Sequence, residues 1–269
     1  MATTKKYAAR PGNGLDLEGV TVRSITSVAD RPELLVAAQQ IFDVAWSPTL
    51  MIPSVSSHLI PRLLTDFSKF VLVAVTDNPI EPLGYAAAIP FVGPDDLLDL
   101  PDGGYDEVFT RAVQDFDAGR TPTMLAALAI AVMPKHRGSG VSEGLARALC
   151  DLARSHRFSH LVVPVRPAHK AADPFVSMDR YAFRTRQDGA PADPWIRVHW
   201  RLGATIVKIC PSSMTMRASI AAWEEATRVS FGSSGLYAIP DGLAPLRVDC
   251  ERREAVLVEP NVWMAYRIG

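Results

Sequence analysis

The chain has 269 residues, with 28 Lys and Arg against 29 Asp and Glu and a formal net charge of −1 at pH 7. That balance leaves no basic stripe for a nucleic-acid backbone, and no stretch reaches the roughly 20 apolar residues that span a membrane. Three cysteines, Cys150, Cys210 and Cys250, are an odd number at wide spacing without a CxxC pair, which argues against a metal site or a disulfide framework.

Residues 1–18 are polar and contain Gly and Pro, so a flexible leader is expected, ahead of a single domain over 19–269. The start lacks the apolar run of a signal peptide, and a cytoplasmic protein is expected. Val20–Ile25 alternates apolar and polar residues and reads as a strand, and Pro32–Ala45 carries helical apolar spacing. Phe70–Val75 and Leu83–Ile89 are β-like runs around the turn residues Asp77-Asn78-Pro79, a hairpin. Residues 93–121 are acidic and turn-rich and read as an insertion carrying a surface helix over Tyr105–Phe116.

Met124–Val132 is a nearly unbroken apolar run, Pro134–Gly140 a basic glycine loop, and Val141–His156 repeats apolar residues at helical spacing. His160–Val165 reads as a buried strand and completes a β-α-β unit whose strands run parallel. The polar stretch 166–192 is too long for a simple connection and suits an acceptor site. Trp195–Leu202 then has helical spacing up to a C-terminal Gly203, followed by the β-like Thr205–Ile209, a helix over Ile220–Arg228, and a β-like segment over Ala255–Tyr266 that is expected to close the acceptor pocket. Residues 211–269 are expected to form a C-terminal extension.

In the basic loop, two glycines let backbone N–H groups turn toward one point where a helix begins, which makes an anion site, and Arg137 adds a forked cation suited to phosphate oxygens. The run Arg137-Gly138-Ser139-Gly140-Val141-Ser142 resembles the coenzyme A signature of the GNAT acyltransferase superfamily, departing from it at Ser142, where the family usually has Gly or Ala. The resemblance implies an α/β (α+β) fold with a mixed, mostly antiparallel central sheet flanked by helices, here with an extended C-terminal half. It implies acetyl-coenzyme A or another acyl-coenzyme A as cosubstrate, and backbone contacts to the pantetheine arm at Ala131 and Val132; the histidines offer no pair with ligand spacing, so no metal is expected. The expected activity is acyl transfer, N-acetylation of a small molecule first. A starter-unit enzyme that decarboxylates malonyl-coenzyme A or loads an acyl carrier protein comes second, and a non-catalytic acyl-coenzyme A binder third.

Acyl transfer to an amine calls for a base of suitable pKa near the thioester. His199 is the candidate, sharing a helical face with Trp195, and Tyr181 is the candidate acid for the departing thiolate. Arg166, directly after the buried strand, and Arg197 are expected to face the acyl or acceptor group. The tail with Asp193-Pro194-Trp195, His199 and Glu259 to Trp263 is similar to a GNAT subgroup that includes loading domains of polyketide synthases. That likeness implies a functional role for His199 and a place for Trp46 beside the acyl group. Those domains use a hydroxyl residue on the strand after the coenzyme A helix, where this chain has Val163-Pro164-Val165.

Overall fold

The computed structural model describes residues 16–17, 20–21, 24–76 and 80–269. Apart from Asp16 and Leu17, the expected leader lies outside the described residues, as do Val22, Arg23 and the turn Asp77–Pro79. In chain order the strands are β1 (Asp16–Leu17), β2 (Val20–Thr21), β3 (Ser24–Ser27), β4 (Val71–Val75), β5 (Pro82–Phe91), β6 (Met124–Val132), β7 (His160–Val165), β8 (Thr205–Ser219), β9 (Gly235–Tyr237), β10 (Leu246–Asp249) and β11 (Glu254–Arg267). The helices are α1 (Leu35–Ala45), α2 (Ile60–Thr65), α3 (Gly104–Asp117), α4 (Val141–Ser155), α5 (Met178–Ala182), α6 (Pro194–Arg201) and α7 (Ile220–Thr227). The single strand expected over Val20–Ile25 is divided: β2 pairs with β1, whereas β3 joins the main sheet beside β4.

Nine strands form one sheet in the order β3-β4-β5-β6-β7-β11-β10-β9, with β8 paired along β11. Only β6 and β7 run parallel, joined by the crossover through α4, and all other pairs are antiparallel. This is the mixed, mostly antiparallel sheet with flanking helices that the resemblance implied. The fully buried strands read as continuous apolar runs because both of their faces are covered. Gly84 of β5 faces α4, since a Cβ there would meet Val141 Cγ1 at 3.0 Å and Leu145 Cδ1 at 3.1 Å. Strand alternation sends its neighbour Tyr85 to the other face, where its ring lies 6.5 Å from that of Phe42 in α1.

Two features depart from the sequence reading. The helix of the 93–121 segment does more than decorate the surface: Val108, Phe109, Ala112 and Val113 of α3 are buried in the main core, and the helix packs on β5 and β8. The C-terminal strand, in the segment read as an extension, runs inside the sheet: residues 262–267 of β11 pair with β7 while the same strand pairs along its length with β8. Its first half, with β8, α7, β9 and β10, encloses a second apolar cluster around Met216, Trp223, Phe231, Leu246 and Leu257.

Candidate active site

Where β6 leaves β7, the sheet opens. The parallel pairing covers only Leu125↔Leu161 and Ala126↔Val162, and the register between β5 and β6 slips so that Ala87 faces Ala129 and Ala88 faces Ala127. Leu128 is thus an extra residue, a bulge that bends β6 away. Beyond it the edge of β6 toward β7 is unpaired. Met133 N–H bonds the Leu83 carbonyl at 2.9 Å, so ladder alternation turns the amides of Ala131 and Ala129 toward β5 and those of Ile130 and Val132 toward the gap. Of the two backbone contacts expected from the sequence, Val132 is therefore placed on the open side. Ala131 is not: it is buried, bonded into the β5 ladder, and absent from the cleft wall. The gap widens into a cleft of about 840 Å³.

At its entrance sits the glycine loop. Gly138 and Gly140 have φ of +82° and +80°, a conformation that side-chain-bearing residues adopt only with strain. Gly140 caps α4 without any side-chain hydrogen bond, so the first amides of a 15-residue helix are left for an anion, favoured also by the helix dipole. Gly138, Gly140, Val141 and Ser142 line the cleft with Arg137. Among the described residues the exposed Arg137 guanidinium bonds only the Ala45 carbonyl at the end of α1, at 3.2 Å, which keeps most of its donors free. Ser139 does not line the cleft, and its hydroxyl is donated to the His136 carbonyl at 2.6 Å. These residues fit a pyrophosphate-bearing cosubstrate: left-handed glycines, unbonded amides, one guanidinium and an open strand edge.

On the α4 side of the sheet, α6 contributes Pro194, Trp195, Val198 and His199 to the wall. Asp193 fixes that helix by accepting five hydrogen bonds, from the amides of Ala168, His169, Trp195 and Ile196 and from the Tyr181 hydroxyl, at 2.9–3.2 Å. Trp195 stands edge-on to His199 with ring centroids 4.5 Å apart. His199 is 1% exposed, its Nδ1 meets the Tyr266 hydroxyl at 2.6 Å, and burial pushes its pKa down to about 4. It stands neutral at physiological pH. Burial likewise pushes the Tyr266 phenol well above the ordinary tyrosine range, so it keeps its proton.

Tyr181, Arg166 and Arg197 take other places than the sequence suggested. The Tyr181 hydroxyl is spent on Asp193 at 2.9 Å and lies outside the cleft wall, and burial followed by that carboxylate raises its pKa; it is a support for α6, not the acid for a thiolate. Arg166 reaches the cleft but forms a bidentate pair with the fully buried Glu259, at 2.8 and 3.0 Å, and bonds the Asp241 carbonyl, so its charge is already neutralised. Arg197 donates to the carbonyls of Pro191 and Ala192 at 2.7 and 2.8 Å and stays outside the cleft.

The opposite side of the sheet forms a pocket of Phe42, Trp46, Tyr85, Tyr105, Ser54, Ser57, Met214 and Asn261. Burial pushes the Tyr85 phenol up to about 12, with the neighbouring Trp46 side chain acting in the opposite direction. Asn261 follows the irregular register of β11 between Glu259 and Asn261 and shares its face with Trp263, whose indole bonds the Pro101 carbonyl just before α3 at 2.8 Å. Sequence reasoning missed Ser54, Tyr85, Tyr105 and Asn261; only Asn261, a polar residue inside an apolar β-like run, carried a visible signal. Among the described residues no group of three or more His, Cys, Asp or Glu is placed to hold a metal ion, and no helix is long and apolar enough to cross a membrane.

A helix-capping glycine loop, a strand pair that splays at a bulge and a cleft running through the gap define an acyl-coenzyme A transferase. The Acetyltransferase (GNAT) family model matches residues 36–178, and the chain belongs to that family and is an acyltransferase. It is 28% identical over 298 aligned positions to arginine N-acetyltransferase avaD of Aspergillus versicolor, with 95% of this chain and 99% of that protein covered. Its fold is similar to the loading GNATL domain of CurA from Lyngbya majuscula, with a TM-score of 0.55 at 15% identity over 91% of this chain and 97% of that one. It is also similar to the GphF GNAT-like decarboxylase in complex with isobutyryl-CoA, with a TM-score of 0.57 at 16% identity over 92% and 100% of the two chains. At those identities the two structures share its fold.

Proposed function

We propose that this enzyme transfers the acetyl group of acetyl-coenzyme A to the amine of a small molecule, in the cytoplasm where that cosubstrate and three free cysteines are at home. The observation that carries the reading is one continuous cleft, entered at the glycine loop on the α4 side and ending in a small aromatic pocket on the α1/α3 side. Its volume suits a thioester and a compact acceptor. A relative aligned over nearly the whole of both chains supports an amino-acid-like amine.

The bound cosubstrate supplies an activated acetyl carbonyl. The Arg137 guanidinium and the first amides of α4 hold its diphosphate, and the free edge of β6 at Ile130 and Val132 pairs with the pantetheine amides. The same edge, from the Leu128 bulge onward, presents N–H donors to the carbonyl oxygen as it gains charge. The amine nitrogen bonds the acetyl carbon as the C–S bond breaks, and the one N–H proton the nitrogen gives up ends on the departing sulfur, so the products are the amide and free thiol. We assign Tyr266 O–H as donor to Nδ1 of His199, which leaves the imidazole proton on Nε2; His199 then supplies a hydrogen bond on the α4 side, where the sulfur leaves. A histidine held neutral down to about pH 4 gives no ionisation in the working range.

The test is mass spectrometry of the protein with acetyl- or malonyl-coenzyme A, a panel of small amines and an acyl carrier protein. Acetylated amine with free thiol is the expected outcome. Decarboxylated malonyl thioester, or a loaded carrier protein without amine turnover, would overturn the reading. Arg137→Ala should weaken acetyl-coenzyme A binding about tenfold, near 1.4 kcal/mol, by titration calorimetry without loss of fold.

A further inference from the structure

Behind the wall of the acceptor pocket lies a buried carboxylate that forms no ion pair among the described residues. Asp106, in the first turn of α3, is 5% exposed. Its carboxylate accepts from Ser54 Oγ and Ser56 Oγ at 2.6 Å each, from the Ser56 amide at 3.4 Å and from the Thr215 amide at 2.8 Å. Every one of these partners is neutral. Of the other buried carboxylates among the described residues, Asp115 pairs with Arg120 and Glu259 with Arg166, whereas Asp193 shares the neutral surroundings of Asp106 but spends its oxygens on four amides and a phenol that fix α6. The first turn of a helix makes the uncompensated charge of Asp106 tolerable, but it does not cancel the field that reaches the cleft.

Ser54 carries that field to the pocket wall. With its hydroxyl hydrogen committed to Asp106, its oxygen can act only as an acceptor; Ser57 Oγ lies 3.3 Å away, and both serines line the cleft. A second observation on the same side is independent of the first. Asn261 is 2% exposed, donates Nδ2 to the Pro164 carbonyl at 3.1 Å, and leaves Oδ1 buried in the cleft wall with no partner among the described residues. A buried carbonyl left without a donor is costly, so this atom suits an N–H that arrives with the substrate. The rings of Trp46 and Tyr105 complete a lining that attracts cations by their π faces.

We propose that the acceptor carries a cationic nitrogen group, a guanidinium or ammonium, besides the amine that is acetylated, and that Ser54 with Asp106 behind it and Asn261 recognise its N–H donors. The inference rests on the amine-acetyltransferase reading and narrows it. Ser54 and Asn261 touch the substrate; Asp106 acts through Ser54 and is a positioning residue.

The experiment compares arginine with citrulline, which has the same length and shape but a neutral ureido group. A hydrogen-bonded charge lost from a built site lowers kcat/KM by about 10- to 100-fold, so the wild-type enzyme should prefer arginine by at least about tenfold. In Asp106→Asn that preference should fall to about threefold or less, mainly through KM for arginine, and Ser54→Ala should fall between. Calorimetry with acetyl-coenzyme A shows that each variant is folded, and if Asp106→Asn does not fold, Ser54→Ala carries the comparison alone. Equal turnover of arginine and citrulline, or a preference untouched in the folded variants, would overturn the inference while leaving amine acetylation standing. Turnover of no amine at all would remove both.

Discussion

His199 shows how one residue joins stability to the site. Its imidazole gains no charged partner in the fold, and burial alone lowers its pKa from 6.5 to about 4. Between those values the unfolded chain binds a proton that the folded chain refuses, so this contribution to stability is complete above about pH 6.5 and is lost as the pH falls toward 4. The difference at pH 4.5 is roughly 2 kcal/mol. Urea unfolding at pH 7 and pH 4.5 should therefore show wild type losing about that much more than His199→Gln, which has no proton to refuse. Parallel losses would show that the folded protein takes up the proton freely. In kinetics the same residue should add no ionisation of its own to kcat/KM across the neutral range, where the remaining pH dependence is that of the acceptor amine, and a His199→Gln profile of unchanged shape but lower height would agree with a hydrogen bond to sulfur rather than a titrating base.

At the scale of elements, α4 and β5 meet without a spacer, and the glycine loop rides on that contact. A Cβ at Gly84 would stand 2.7 Å from the Ala131 carbonyl oxygen, in addition to its contacts with Val141 and Leu145. Gly84→Ala must move backbone, since a carbonyl in a ladder cannot rotate aside as a side chain can. The expected result is a destabilisation of about 2 kcal/mol, read by chemical denaturation, together with weaker acetyl-coenzyme A binding because α4 carries the anion site with it. Full stability in the alanine variant would mean that the helix is free to lift. These elements were largely legible in the sequence: the apolar run over 124–132, the glycines and the 3.6-residue spacing after them are local signals, and local signals set β6, the loop and α4. The bulge at Leu128 was not legible, because a register slip depends on which residue of β5 stands opposite. Nor was the fate of the polar residues over 166–201. Arginine or tyrosine in such a stretch can enter a cleft or cap a carbonyl, and only the approach of Glu259, Pro191 and Asp193 decides between them. His199 beside Trp195 could be placed on one helical face, but its burial and its bond to Tyr266, 67 residues away, are long-range facts.

For the molecule as a whole, the C-terminal residues that read as an extension run through the middle of the sheet. β11 separates β7 from β8, and the second apolar cluster shares β8 and β11 with the main core. Strand order in a mixed sheet follows from long-range pairing that periodicity does not encode, which is why this segment could be recognised as β but not placed. The two halves are locked by charge as well as by pairing: Arg166, at the end of β7, holds the fully buried Glu259 and the Asp241 carbonyl, while Glu259 also accepts the Leu243 amide at 2.9 Å and Lys170 donates to the Leu243 carbonyl at 2.8 Å. Removing one member of such a pair strands the other charge in a dry interior, at a cost of about 3–5 kcal/mol. Arg166→Met should therefore be strongly destabilised, and Arg166→Met/Glu259→Gln should recover a large part of the loss, because glutamine keeps an oxygen for the Leu243 amide and brings no charge. A double variant no better than the single would place the value of Arg166 in its packing and its bond to Asp241. Because β11 belongs to both halves, the wild type and each variant should melt in one transition, by circular dichroism and by tryptophan fluorescence alike. Separate transitions would mean that the second cluster unfolds on its own.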